Sequence, residues 1–294
     1  MLPAAAAVSS QHQTDYAVIK GRTLAFDELV DESFFAPEKV SELAEAFRNN
    51  QPFPHLVFEN LFSPALLELI YDEFDDLNSK DWRRLNTVNE VKRGSRPNTR
   101  FGHATELYFS IIHSSKFVNF IQKVSGIEGL IPDVTLNNAG MHDIPTGGKF
   151  GVHIDFNKHW VTMLDNRLVF ITYLNKDWLP EYGGTLELWR AEPRQCEVKV
   201  VPAFGRSVLF AHTDRSFHGH PDPVNAPDGR SRRSLAAYFY SNGGLAAGRT
   251  TYHTTIFATP GPLTPAQKVA AAIKYVTPPA AIDAWRKLKS LIKR

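Results

Sequence analysis

Residues 167–189 read RLVFITYLNKDWLPEYGGTLELW. Two strand-like runs rich in apolar residues, Arg167–Leu174 and Thr185–Trp189, flank a break at Gly183-Gly184. The same period of two continues on both sides, in Val134–His142, Lys149–Phe156, Glu197–Val201, Ser207–Ala211 and Arg232–Tyr240. Gly147-Gly148 and Pro202–Gly205 punctuate it. No long helix separates these runs, so they predict an antiparallel sandwich or barrel of jelly-roll type rather than a parallel βαβ sheet.

The flanks read differently. Residues 1–22 are small and polar without periodicity and read as a flexible tail, and Met1–Val8 lacks the positive start of a signal peptide. Pro37 opens a helix carrying Val40, Leu43, Ala44 and Phe47, and His55–Glu59 is a short strand. Ser63-Pro64 starts a second helix with Leu66, Leu67, Ile70, Phe74 and Leu77 on one face, and a third is expected over 105–124. The polar stretch 86–100, with Lys92, Arg93, Arg96 and Arg100 broken by Gly94 and Pro97, reads as a mobile loop. Past Pro265 helical character resumes, ending in a basic amphipathic segment from Ala281 to Arg294. The expected organisation is a tail (1–22), a helical flank packed on the core (23–130), the β core (131–245) and a C-terminal helical extension (246–294), all in one structural domain.

Composition narrows the function. Lys+Arg 33 against Asp+Glu 31 leaves a net charge of +2, so no global field points to nucleic acid or an anionic membrane. No stretch approaches the length of a membrane span. The single Cys196 cannot form an internal disulfide or a thiolate zinc site, which favours a reducing cytoplasm. The sequence sets no oligomeric state.

His153-Ile154-Asp155 lies within an expected strand, where residues two apart share a face, so an imidazole and a carboxylate are presented together. Ser216-Phe217-His218-Gly219-His220 offers a third ligand, either His218 or His220. Two histidines and a carboxylate make the facial set of non-haem iron(II), which leaves positions open for a chelating co-substrate and dioxygen. In Arg232–Tyr240, alternation sets Arg232, Ser234 and Ala236 on one face and Arg233, Leu235, Ala237 and Phe239 on the other. A guanidinium followed by two small residues forms a slot that suits a carboxylate, and Tyr173 is a candidate hydroxyl partner. Arg233 is the rival if the register shifts by one.

From about 135 to 242 the chain resembles the prolyl-hydroxylase-like branch of the 2-oxoglutarate and iron(II)-dependent dioxygenases. The matching blocks, in order and spacing, are His153-Ile154-Asp155, Tyr173–Trp178, Gly183–Leu188, Pro202–Phe210, Asp214–His218 and Arg232–Leu235. The resemblance implies a double-stranded β-helix holding Fe(II) through His153, Asp155 and His218. It implies Arg232, assisted by Tyr173, on the 5-carboxylate of 2-oxoglutarate, with Ser234 in the same slot. Where that family commonly has a tyrosine before the metal strand, this chain has Met141-His142-Asp143; His142 either substitutes as a hydrogen-bond donor or is only a strand residue.

The implied reaction couples O2 and 2-oxoglutarate to hydroxylation of a C–H bond, releasing succinate and CO2, with ascorbate as an optional auxiliary reductant. Related halogenases have a small residue at the carboxylate position, whereas this chain keeps Asp155. The expected substrate is a small polar metabolite, an amino-acid or peptide-like unit, or a saccharide; hydroxylation of a protein residue such as proline is the alternative. A lid formed by 86–100 would place Arg93, Arg96 or Arg100 on an anionic group of the substrate. The rivals from other classes are a non-catalytic binding module of the same fold and a zinc hydrolase on the same three ligands.

Overall fold

The computed structural model describes residues 15–192, 194–243 and 252–258. The expected C-terminal extension lies outside the described residues except for 252–258. In chain order the first elements are β1 (Tyr16–Ile19), β2 (Arg22–Ala25), α1 (Pro37–Asn49), β3 (His55–Phe58) and α2 (Pro64–Glu73). Then come β4 (Trp82–Asn86), β5 (Glu90–Ser95), α3 (His103–Ile112), α4 (Ser115–Ser125), β6 (Ile131–Pro132), β7 (Gly140–Ile144) and β8 (Lys149–Ile154). The rest are β9 (Asp165–Tyr173), β10 (Leu186–Arg190), β11 (Gln195–Val200), β12 (Ser207–Ala211), β13 (Phe217–His220), β14 (Arg232–Ser241) and β15 (Ile256–Phe257).

Among the described residues, thirteen strands form one antiparallel sheet in the order β11-β10-β13-β8-β5-β7-β14-β9-β12-β3, with β15 added on β8, β4 on β5 and β6 on β14. The fold is a double-stranded β-helix, or jelly roll, with helices on one face. β14 is buried along its whole length, and its two faces diverge as the alternation requires. Ser234, Ala236 and Tyr238 pair with Tyr173, Ile171 and Val169 on the concave side, while Leu235 and Ala237 pair with Thr172 and Phe170 on the helix side. There Phe170 meets Phe58, Phe62 and Phe117, and Thr172 Oγ1 shares a 2.8 Å hydrogen bond with Tyr108 Oη. The helices thus close one side of the sheet and leave the other free to form a pocket.

Four sequence expectations are corrected. Residues 16–22, expected as tail, belong to the β1–β2 hairpin, which buries Ile19 and Leu24; its strands of four residues are too short to show a period. The expected helix over 105–124 is two helices, broken at His113-Ser114, where Ser114 Oγ caps α4 by accepting from the Phe117 N–H. The strand expected over 134–142 starts only at Gly140, because Leu136 and Asn138 take positive φ in a turn organised by the Asp133 carboxylate. Most consequentially, 86–100 is not a mobile loop: β4 and β5 form a hairpin, and β5 is inserted between β7 and β8.

The start of α3 shows a cap that comes from outside its own helix. Gly102 offers no side chain, and the buried Glu73 carboxylate accepts from Ala104 N–H (2.9 Å), Thr105 N–H (2.8 Å) and Thr105 Oγ1 (2.6 Å). A Cβ at position 102 would fall 2.1 Å from Glu73 Cδ, so only glycine admits this approach. Glu73→Ala strands two buried N–H groups and is expected to cost about 1–3 kcal/mol, read as a lower urea midpoint. An unchanged midpoint would show that this helix end is satisfied some other way.

Candidate metal centre and dicarboxylate pocket

His153 and Asp155 lie at the end of β8 and just beyond it, and His218 faces His153 across the β8–β13 ladder. His153 Nε2 is 3.2 Å from Asp155 Oδ1, His218 Nε2 is 3.5 Å from Asp155 Oδ2, and the three ligand atoms lie within 4.8 Å of one another. All three residues are buried. His153 Nδ1 is 2.8 Å from the Gly151 carbonyl and His218 Nδ1 is 3.0 Å from that of Ser216. Those carbonyls can only accept, so each Nδ1 carries the proton and each Nε2 turns its lone pair inward. Burial, with His153 adding, pushes the His218 imidazole down to about 4. Burial alone would raise the Asp155 carboxyl; the His153 and His218 imidazoles set against it outweigh that and hold the group well below the usual carboxylate range.

The His153 Nε2 atom is buried without a hydrogen-bond partner, which is costly unless a ligand takes the lone pair. Two neutral imidazoles and one carboxylate converging on one point, with no thiolate, fit iron(II). Two further contacts position the carboxylate: Tyr238 Oη donates to Asp155 Oδ2 at 3.3 Å, and His212 Nε2 lies 3.0 Å from the Asp155 carbonyl. His220, the rival ligand, is not in the cluster: it pairs with Phe150, further along β8.

Arg232 lies on the concave side of β14, buried. Its Nε donates to the Gly184 carbonyl at 2.7 Å and its Nη2 to Tyr173 Oη at 3.3 Å. Gly184 has φ +65°, and a Cβ there would sit 2.7 Å from Arg232 Cδ, so glycine lets the guanidinium lie against this turn. Burial raises the Tyr173 phenol, which keeps it a neutral donor despite the neighbouring cation. Ser234 lies between Tyr173 and His142 in the ladders, which sets all three beside the guanidinium on one surface. Burial pushes His142 down to about 3, with Lys92 and Arg232 acting in the same direction. Arg233 points to the opposite face, where Nη2 donates to Asp75 Oδ1 at 2.6 Å and Nη1 to the Tyr71 carbonyl at 3.0 Å.

Two of the three candidate lid arginines in the stretch 86–100 are engaged within the fold, and Arg100 is exposed. Arg93 is paired with the buried Asp143, and Arg96 donates to the Lys80 carbonyl. Of the aromatics beside the metal strand, Phe156 is buried and Trp189 half-buried with its Nε1 on Glu187, whereas Trp160 is 63% exposed. Sequence reading missed Tyr238 and Lys92. Tyr238 was accessible from parity, since it lies three two-residue steps beyond Arg232 on the same face; Lys92 was hidden with the hairpin that carries it.

The comparisons with known proteins agree with this geometry. A sequence profile of the 2OG-Fe(II) oxygenase superfamily matches residues 139–240. Mouse prolyl 3-hydroxylase OGFOD1 is 25% identical over 197 residues, covering 64% of this chain and 33% of that protein, so the chain spans about a third of the length of this curated relative. The Pseudomonas putida prolyl-4-hydroxylase has a TM-score of 0.51 at 17% identity, covering 68% of this chain and 100% of that one. A Trichoplax adhaerens prolyl hydroxylase, solved with a hypoxia inducible factor peptide fragment, has a TM-score of 0.52 at 18% identity, covering 73% of this chain and 96% of that one. The fold is similar to that of these two hydroxylases, and the superfamily match spans the three candidate metal ligands. Residues 139–240 are thus similar to the 2OG-Fe(II) oxygenase superfamily, and the three relatives named above are prolyl hydroxylases.

Proposed function

We propose that this protein hydroxylates a prolyl residue of a protein or peptide, using iron(II), 2-oxoglutarate and O2. The observation that carries the oxygenase chemistry is the buried set of His153, Asp155 and His218 beside the Arg232–Tyr173 slot. The peptide substrate is supported by the mouse relative, a prolyl 3-hydroxylase, and by the Trichoplax enzyme with its bound peptide fragment. The activities of these relatives favour the protein-proline alternative over the small-metabolite expectation.

In this reading His153, Asp155 and His218 hold iron(II), which when bound supplies oxygen activation coupled to decarboxylation of 2-oxoglutarate to succinate and CO2. Arg232 clamps the distal carboxylate, and its fixed fork, held by Gly184 and Tyr173, orients the co-substrate without further ordering cost. Ser234 and His142 line the slot as polar contacts. Tyr238 keeps the Asp155 carboxylate aimed, and the buried walls exclude water. The single cysteine supports a reducing, cytoplasmic setting; no described helix is long and apolar enough to cross a membrane.

Succinate release under iron(II), 2-oxoglutarate and air, measured against proline-containing peptides, free amino acids and saccharides, tests the proposal. Stimulation by a peptide with gain of one oxygen atom on proline is expected. Stimulation only by a free metabolite would restore the metabolite reading, and 2-oxoglutarate binding without turnover on any substrate would favour a binding module.

A further inference from the structure

Lys92 lies on β5, outside the segment that the superfamily profile matches. Its side chain is only 11% exposed, and its nearest carboxylate, Glu90 Oε2, is 3.9 Å away, too far for a hydrogen bond. The ammonium lies 3.4 Å from the centre of the Phe150 ring, and that ring lies 3.8 Å from the ring of His153. Lys92 therefore enters the pocket beside the metal cluster. After Glu90, the charges it feels most are those of Asp155 and Arg232.

Its surroundings are short of partners. Both ring nitrogens of the buried His220 lack a hydrogen-bond partner, and Lys92 and Arg232 are the cations that act on it. On the other side His142 packs against Gly94 of the same strand, where a Cβ would come within 3.2 Å of the imidazole. An ammonium held largely out of water over an aromatic face gains something from the ring, but its N–H donors still need an acceptor. Charge points the same way. Glu90 and Asp155 balance Lys92 and Arg232, so a divalent cation at the metal cluster leaves this cavity two charges positive, which a dicarboxylate neutralises.

We propose that Lys92 is a second cationic contact, with Arg232, for the dicarboxylate co-substrate. This rests on reading the Arg232 slot as the 2-oxoglutarate site. Hairpin β4–β5 would then be part of the binding pocket rather than a lid over it.

Calorimetric titration of Mn(II)-loaded protein with 2-oxoglutarate tests this without turnover. Lys92→Met, which keeps the length and the apolar stem, is expected to weaken binding on the order of 10- to 100-fold. Lys92→Arg should bind close to wild type. Equal losses in the two variants would make Lys92 a seat for the hairpin and overturn the proposal. If Arg232→Met loses binding and Lys92→Met does not, the co-substrate reading survives and the Lys92 assignment fails; if neither loses it, the reading itself fails. A measurement on unaltered protein covers a Lys92→Met variant that does not fold: 2-oxoglutarate should slow acetylation of Lys92 by acetic anhydride, followed by peptide mass spectrometry. Unchanged labelling at saturating 2-oxoglutarate would also overturn the proposal.

Discussion

Asp155→Ala is expected to abolish iron retention and 2-oxoglutarate turnover together. The substitution removes the only carboxylate among the three donors and leaves two neutral imidazoles to hold a divalent ion. Outer contacts to metal ligands are typically worth about 10–100-fold in affinity or activity, so deleting a ligand should exceed ~100-fold. Iron content after dialysis, and the weak visible band of an anaerobic iron(II)–2-oxoglutarate complex, both report it. His153→Ala should behave the same way. His220→Ala should keep its iron, because its ring pairs with Phe150 and not with the cluster. A full-strength band in Asp155→Ala would remove the metal assignment.

The strands around this centre were legible because burial on both faces makes each a short apolar run bounded by turn residues. β9, β12 and β14 carry apolar residues on both faces, one against helices and one lining the pocket, and their limits follow the reading closely. The hairpin β4–β5 was illegible for the opposite reason. Glu90-Val91-Lys92-Arg93-Gly94-Ser95 is mostly half-buried, and its place in the sheet is set by long-range pairing with β7 and β8 and by the Arg93–Asp143 ion pair. Local propensity registers neither. The same limit applies to the site. His153 and Asp155 are neighbours in sequence, but the choice between His218 and His220 depends on a register shift in the β13–β8 ladder. That shift sets His218 opposite His153 and sends His220 towards Phe150, and no pattern within the five residues 216–220 encodes it.

Arg232→Met is expected to weaken 2-oxoglutarate by about 2 to 5 kcal/mol, because it removes one partner of a desolvated, charge-assisted carboxylate contact. The same change at the next residue should do something different. Arg233 bridges β14 to the end of α2 through Asp75 and the Tyr71 carbonyl, and its guanidinium also lies over the Tyr71 and Phe74 rings. Arg233→Met should therefore lower the unfolding midpoint and leave the co-substrate dissociation constant near wild type. Calorimetric titration separates affinity from stability in each variant. The contrast depends on strand parity: Ser234 pairs with Tyr173 on one side and His142 on the other, so Arg232 must share the pocket face and Arg233 must not. If Arg233→Met lost 2-oxoglutarate while Arg232→Met kept it, β14 would have to lie one residue out of this register. Leu235 and Ala237 would then exchange faces with Ser234 and Ala236, opening the aromatic layer around Phe170 to a serine, so the binding result checks the fold as well as the site.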